Sequence, residues 1–100
     1  MKRIILLCAS GMSTSMLVKK METAAADMQF PCEIEAYPTC EAKTKAANAD
    51  IILLGPQVRF SLEQTKKDCP QAIVEPIEMR MYGRMDGKAV MEFVKEKLGV

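Results

Sequence analysis

The thiol of Cys8 is the side chain with the clearest chemical potential in this sequence. Four aliphatic residues, Ile4–Leu7, precede it, and the small and hydroxyl-bearing residues 9–15 separate it from a helix-like segment. A loop that leads from a strand into a helix points backbone N–H groups inward and adds the positive end of the helix dipole, so it can bind a phosphate-sized anion. The same field favours the thiolate over the thiol. The pattern therefore predicts covalent phosphate chemistry on the Cys8 sulfur.

The residues around this thiol are interpreted as a phosphate-binding loop and a rim. The predicted loop consists of Ala9, Ser10, Gly11, Met12, Ser13, Thr14 and Ser15. Its glycine permits a close backbone approach or a positive φ, and one of its hydroxyls is also expected to cap the following helix. Gln57 and Tyr82 fall on loops that are expected to rim the site, where they would contact phosphate or a partner protein.

The loop differs from that of cysteine-dependent phosphatases at one position. Those enzymes use the pattern C-x5-R-[ST], in which the arginine clamps the phosphoryl oxygens. Counted from Cys8, the arginine position is Thr14, although the hydroxyl residue that follows is present as Ser15. Electrostatic stabilisers of this kind are worth several kcal/mol. The chain also has no histidine and no Asp-Pro pair to act as the usual general acid. The sequence therefore predicts a site that holds a phosphoryl group on sulfur but hydrolyses it poorly, as a carrier would.

Length and composition narrow the class of protein. The 100 residues are expected to form a single domain, 1–100. The net charge is +1, and the basic residues form no cluster of the kind that binds nucleic acid or a membrane surface. The first apolar run is too short for a signal peptide, so the chain is expected to be cytosolic. Cys32, Cys40 and Cys69 form no C-x-x-C pair and are interpreted as free thiols, and no metal or cofactor is expected.

Apolar runs alternate with helix-compatible stretches along the whole chain. Four β-then-α units of this kind predict a three-layer α/β fold, with an open parallel sheet covered by helices on both faces. The predicted strands are 3–8, 33–37, 51–54 and 72–77, and the predicted helices are 13–28, 41–48, 58–67 and 86–98. Asp86 is interpreted as the N-cap of the last helix and Gly99 as its C-terminal cap.

The order of the strands follows from their apolar patterns. The first and third runs are apolar without alternation, which is typical of central strands, whereas the second alternates as an edge strand does. With right-handed crossovers these features favour the order 2-1-3-4. Ligands bind such sheets where the winding reverses, here between strands 1 and 3, so Cys8 is expected to meet residues 55–57.

Four segments in order carry a resemblance to a known family. They are Cys8–Ser15, Glu33–Pro38, Asn48–Gln57 and Met81–Gly87, and together they span nearly the whole chain. They closely resemble the IIB component of the lactose/cellobiose (chitobiose) class of the bacterial phosphoenolpyruvate-dependent sugar phosphotransferase system. The resemblance implies a fold similar to that of low-molecular-weight tyrosine phosphatases.

The resemblance also implies a function and partners. Cys8 would accept a phosphoryl group from a phosphohistidine of the IIA component and pass it to a sugar, expected to be a β-linked disaccharide, that is held by the membrane IIC component. Such a protein would be cytoplasmic and would meet the membrane through IIC. Because the sequence has no obvious extra apolar stripe, we expect a monomer that forms transient complexes. Two alternatives stay open from the sequence. One is a small cysteine phosphatase or arsenate reductase relative, and the other is a IIB-like regulatory domain that binds anions.

Overall fold

The described residues form four strands, each followed by one or two α-helices. The structure is a computed structural model that describes residues 1–9 and 11–100, and of residues 11–13 it describes the backbone alone. The strands are β1 (Lys2–Cys8), β2 (Cys32–Pro38), β3 (Ile51–Leu54) and β4 (Ile73–Pro76). The helices are α1 (Gly11–Asp27), α2 (Ala42–Lys45), α3 (Leu62–Asp68), α4 (Met79–Gly83) and α5 (Gly87–Leu98). Within these described residues no helix is both long enough and apolar enough to cross a membrane.

The four strands form one parallel sheet in the order β2-β1-β3-β4, which confirms the predicted topology. Leu7 of β1 lies beside Tyr37 of β2 on one side and Leu54 of β3 on the other. β1 and β3 are therefore the central strands, as their unbroken apolar runs predicted. β2 is the expected edge strand, since Ile34 is buried while Glu33 is exposed.

Helices cover both faces of the sheet, so the three-layer prediction is also confirmed. Ile4 and Leu6 point to one face and pack with residues of α1 and α5, such as Leu17 and Val94. The alternate residues of β1 point to the other face and pack with the α2 and α3 region, including Ala42, Ala46, Val58 and Cys69. Because successive side chains of a strand alternate between faces, one buried strand supplies both halves of the core.

The caps of the last helix agree with the sequence. The Asp86 carboxylate accepts a hydrogen bond from the backbone N–H of Ala89 at 3.1 Å, which makes it the N-cap of α5. Gly99 follows the helix with φ of 72°, a left-handed conformation that favours glycine. The interpretation of Asp86 as a structural residue is therefore confirmed.

Two predicted helices are shorter than expected. In place of one helix over 41–48, a 3-10 turn at Thr39–Glu41 leads into the four residues of α2, and the N–H of Ala49 then bonds three residues back to Ala46 at 3.1 Å. The buried alanines Ala42, Ala46 and Ala49 have a spacing compatible with a helix, but the helical hydrogen bonds do not continue to residue 48. Residues Pro56–Ser61 form a kinked 3-10 segment before α3, because Val58 turns inward with a non-helical backbone.

The five-residue helix α4 is not among the elements predicted from the sequence. A segment this short shows too little periodicity to be recognised, and its helical character depends on its contacts with the rest of the fold. It carries Tyr82 and lies between β4 and α5. Its position brings the tyrosine to the carboxyl ends of the strands.

Helices α1 and α5 approach each other closely at Gly87. A Cβ atom at this position would lie 2.4 Å from the carbonyl carbon of Lys20 and 2.6 Å from the backbone nitrogen of Met21. These atoms belong to the middle of a helix and cannot move aside without shifting α1. Glycine is therefore required here by space rather than by backbone conformation.

We expect Gly87→Ala to lower the free energy of unfolding by about 2 kcal/mol or more, because it forces two packed helices apart. Gly83→Ala is the matched control, since a Cβ at Gly83 would meet no atom within 4 Å. Urea unfolding of both variants checks this. Equal stability of the two variants would contradict the close helix contact.

Candidate active site

Cys8 is the last residue of the central strand β1, and α1 begins three residues later at Gly11. Only 2% of the residue is exposed, and its Sγ lies 4.0 Å from the carbonyl oxygen of Tyr37 on the neighbouring strand β2. The parallel register places Cys8 directly beside Pro38. The thiol therefore lies at the carboxyl edge of the sheet, next to the N-terminus of a 17-residue helix.

The end of strand β3 is the second element of the site. The N–H of Gly55 donates to the carbonyl oxygen of Leu7 at 2.9 Å, so the residue after β3 is bonded to the residue before the cysteine. Since β2 follows β1 on one side and β3 lies on the other, the winding of the sheet reverses here. Segment 55–57 therefore begins beside the residue that precedes Cys8, at the switch point where the sequence predicted that they would meet.

Gln57 and Tyr82 both reach this point. A Cβ atom at Gly55 would lie 2.9 Å from Oε1 of Gln57 and 3.6 Å from Cε2 of Tyr82, so the two side chains converge over the glycine. Gln57 is exposed and Tyr82 is half-buried. The structure thus brings both predicted rim residues to the turn that adjoins the cysteine strand.

Thr14 joins the first turn of α1 to this rim. The threonine is 1% exposed, and its Oγ1 lies 3.0 Å from the hydroxyl oxygen of Tyr82, with either group able to donate. This contact connects residues 68 positions apart in the chain. It could not be predicted from the sequence, because it depends on the unpredicted helix α4.

The remaining residues of the predicted phosphate-binding loop lie around the start of α1. Ala9 and Ser15 are exposed, one on each side of the helix start. Ser10 lies outside the described residues, as do the side chains of Met12 and Ser13. Helix α1 includes Gly11, so it begins two residues earlier than the predicted start at Ser13. The segment between strand and helix is correspondingly shorter than the predicted loop.

The other three cysteines are free thiols at other places in the fold. Burial, with a smaller contribution from Glu22, raises the pKa of Cys32, and burial followed by Asp68 raises the pKa of Cys69. Cys40 is exposed. At neutral pH Cys32 and Cys69 therefore stay protonated and make poor nucleophiles. In the part of the chain that is described, no group of three or more potential metal ligands comes together.

A network of charges runs along the wetted face of β2, from Glu33 near its start to Tyr37 near its end. Arg3 forms ion pairs with Glu33 at 3.1 Å and Glu35 at 3.0 Å, and the hydroxyl of Tyr37 donates to Glu35 at 2.8 Å. The backbone carbonyl of that tyrosine faces Cys8. The hydrogen bond to Glu35 is therefore the part of this network that reaches the residue next to the thiol.

A parallel α/β sheet of order 2-1-3-4, with a cysteine between its central strand and first helix, defines a class of protein. IIB domains of sugar phosphotransferase systems have this fold, which they share with low-molecular-weight tyrosine phosphatases. A family model described as "PTS system, Lactose/Cellobiose specific IIB subunit" matches residues 3–93. The chain belongs to this family, and it is a sugar-specific IIB component.

Individual proteins that are similar to this chain are also IIB components. The oligo-β-mannoside-specific EIIB component of Bacillus subtilis is 43% identical over 94 residues, which cover 92% of this chain and 91% of the relative. The cellobiose-specific EIIB component of Lactococcus lactis is 43% identical over 97 residues, which cover 90% of each protein. The lactose-specific IIB domain of Streptococcus pneumoniae shares the fold, with a TM-score of 0.84 at 19% identity over 95% of both chains.

The hydrogen bond to Glu35 raises the pKa of Tyr37 above its ordinary value of 10.0, and partial burial adds to this effect. Because the folded-state pKa exceeds the unfolded one, this contribution to stability is fully present below pH 10 and is lost as the pH rises through the folded-state pKa. We expect Glu35→Gln to lower the pKa of Tyr37 in an ultraviolet titration. Tyr37→Phe assigns the signal, and an unchanged midpoint in Glu35→Gln would contradict the assigned cause.

Proposed function

We propose that this chain is a cytoplasmic phosphoryl carrier in which Cys8 is the acceptor and donor of the phosphoryl group. The observation that carries the proposal is the position of Cys8 at the end of a central strand, three residues before the start of α1. The positive end of a helix dipole and its unpaired N–H groups favour a dianionic phosphoryl group at this place. Family membership supports the same role.

In the first step the Cys8 thiolate attacks the phosphorus of a phosphohistidine on the IIA component. The S–P bond forms in line as the N–P bond breaks, and the imidazole leaves with its electron pair and takes up a proton. Backbone N–H groups between Ala9 and Ser15 bind the equatorial oxygens as charge shifts onto them. The hydroxyls of Ser10, Ser13, Thr14 and Ser15 are further donors to those oxygens.

In the second step the phosphoryl group leaves for a sugar held by the membrane IIC component. A sugar hydroxyl attacks phosphorus, the S–P bond breaks, and the Cys8 thiolate is regenerated while the hydroxyl proton passes to a base supplied outside this chain. The chain's own residues stabilise the same oxygens in both directions. We expect a monomer that exchanges between transient complexes with IIA and IIC.

Storage of the phosphoryl group is favoured over hydrolysis by the composition of the site. The position of the phosphatase arginine is occupied by Thr14, whose hydroxyl pairs with Tyr82. A neutral hydroxyl stabilises the transition state for attack by water far less than a bidentate guanidinium does. This difference supports a carrier over a cysteine phosphatase.

We propose that the transported sugar is a β-linked disaccharide. Two relatives with the same identity of 43% are named for oligo-β-mannosides and for cellobiose. Because two IIB chains of equal identity to this one are named for different sugars, sequence identity does not indicate which sugar this chain serves. We therefore place the selection of the sugar in the membrane component.

The test is mass spectrometry of the intact protein and its peptides after incubation with phosphoenolpyruvate, the general phosphotransfer proteins and the IIA proteins of the cellobiose and oligo-β-mannoside systems. We expect one phosphoryl adduct, on Cys8. Cys8→Ser should fold normally and carry no adduct, since a serine hydroxyl has no base here to activate it.

Cys40→Ser is the matched control, because it removes an exposed thiol and should leave the adduct intact. An adduct on Cys8→Ser would show that another residue accepts the phosphoryl group. Release of inorganic phosphate at the rate of adduct formation would support the phosphatase instead.

A further inference from the structure

The hydrogen bond between Thr14 and Tyr82 is the feature that the proposed transfer chemistry does not yet explain. We propose that Tyr82 is a positioning residue, whose hydroxyl orients Thr14 so that the threonine can donate to a phosphoryl oxygen on Cys8. The proposal rests on the proposed function of Cys8 as the phosphoryl acceptor. It assigns to Tyr82 a specific role in place of a general position at the rim.

Burial makes the contact necessary. Among the described side chains, Thr14 and Thr65 are the buried polar residues, at 1% and 3% exposure. A buried hydroxyl needs a hydrogen-bond partner, and leaving it unpaired costs much of the desolvation free energy of the group. For Thr14 the partner is the phenol of Tyr82 at 3.0 Å.

The direction of this hydrogen bond decides whether the Thr14 hydroxyl can also donate to a phosphoryl oxygen. A hydroxyl offers one proton and two acceptor positions. When Tyr82 donates to Thr14, the proton of the threonine remains available for a phosphoryl oxygen. Thr14 stands six residues after Cys8, where a phosphatase loop has its arginine. An oriented threonine then supplies a neutral donor in place of the guanidinium.

Tyr82 is held firmly enough for this role. Its ring packs against the core cluster that α1 and α5 share with the sheet. Cε2 of the ring lies 3.6 Å from the position that a Cβ atom on Gly55 would occupy. The N–H of Gly55 in turn donates to the carbonyl oxygen of Leu7, the residue before Cys8. One side chain therefore connects the first turn of α1 with the strand ends that carry Cys8.

The experiment measures the rate of phosphoryl transfer from phosphorylated IIA to Cys8 by rapid quench and mass spectrometry. We expect Tyr82→Phe to slow transfer about tenfold, which is the effect of one lost hydrogen bond in the transition state. Thr14→Val should slow transfer to a similar degree. The double variant should be no slower than the slower single variant, because the two side chains act as a unit.

Two further measurements separate positioning from a merely structural role. In a Thr14→Ser background, which keeps the hydroxyl, Tyr82→Phe should still slow transfer, whereas in a Thr14→Val background it should have no further effect. The ³¹P chemical shift of the phosphocysteine should change in Tyr82→Phe. Thr65→Val is the control for loss of a buried threonine hydroxyl, and it should alter neither the shift nor the transfer rate.

Transfer at the wild-type rate in Tyr82→Phe would overturn the inference while Cys8 still carries the adduct. Equal slowing by Tyr82→Phe in the Thr14→Val background would also overturn it, because the tyrosine would then act without the threonine. If Tyr82→Phe does not fold, transfer at the wild-type rate in Thr14→Val overturns the inference in its place. Absence of any adduct on the wild-type protein would instead overturn the proposed function, and this inference with it.

Discussion

The burial of β1 on both faces and both edges is the constraint on which the rest of this structure depends. The strand is hydrogen-bonded to β2 and β3, and Ile4–Leu7 are fully buried between two layers of helices. Such a strand lies inside the sheet. Because β2 lies on one side of it and β3 on the other, its carboxyl end lies where the winding reverses. Cys8 is the next residue, and its position follows from the packing of the four residues before it.

Parallel pairing also explains why distant residues meet at the thiol. All four strands end at the same edge of the sheet, so the segments that follow β1, β2 and β3 are brought together there. The carbonyl of Tyr37 and the turn at Gly55 reach the cysteine strand for this reason. Helix α4 follows β4 and adds Tyr82 to the same edge. The site is thus a consequence of topology before it is a consequence of any single motif.

A phosphoryl carrier differs from a hydrolase because its site must not promote attack by water. A site that transfers a phosphoryl group in both directions must stabilise its negative charge without activating water. Backbone N–H groups, a helix dipole and neutral hydroxyls meet that requirement, because they bind an anion with less stabilisation than a guanidinium gives. The fold that IIB domains share with small tyrosine phosphatases can support different reactions, because the reaction depends on the groups placed at the site.

Hydrophobic pattern and turn residues were enough to predict the four strands, their order and the covering of both faces. They also identified Asp86 and Gly99 as the caps of α5, because a cap is a local interaction between neighbouring residues. The same is true of Cys8, whose place at the end of a buried strand can be read from the residues on either side. These features depend on short stretches of chain and on periodicity.

Other features were decided by the tertiary structure alone. The five residues of α4 are too few to show a period, and the shortened α2 has alanines spaced as in a helix although its backbone is not helical beyond Lys45. The contact of Tyr82 with Thr14 joins two side chains 68 residues apart, and the close approach at Gly87 depends on how α5 lies across α1. The sequence by itself determined which residue is the nucleophile candidate and where it sits in the sheet. Which side chains surround it was decided only when the elements packed, since such contacts depend on distances between segments that no local pattern records.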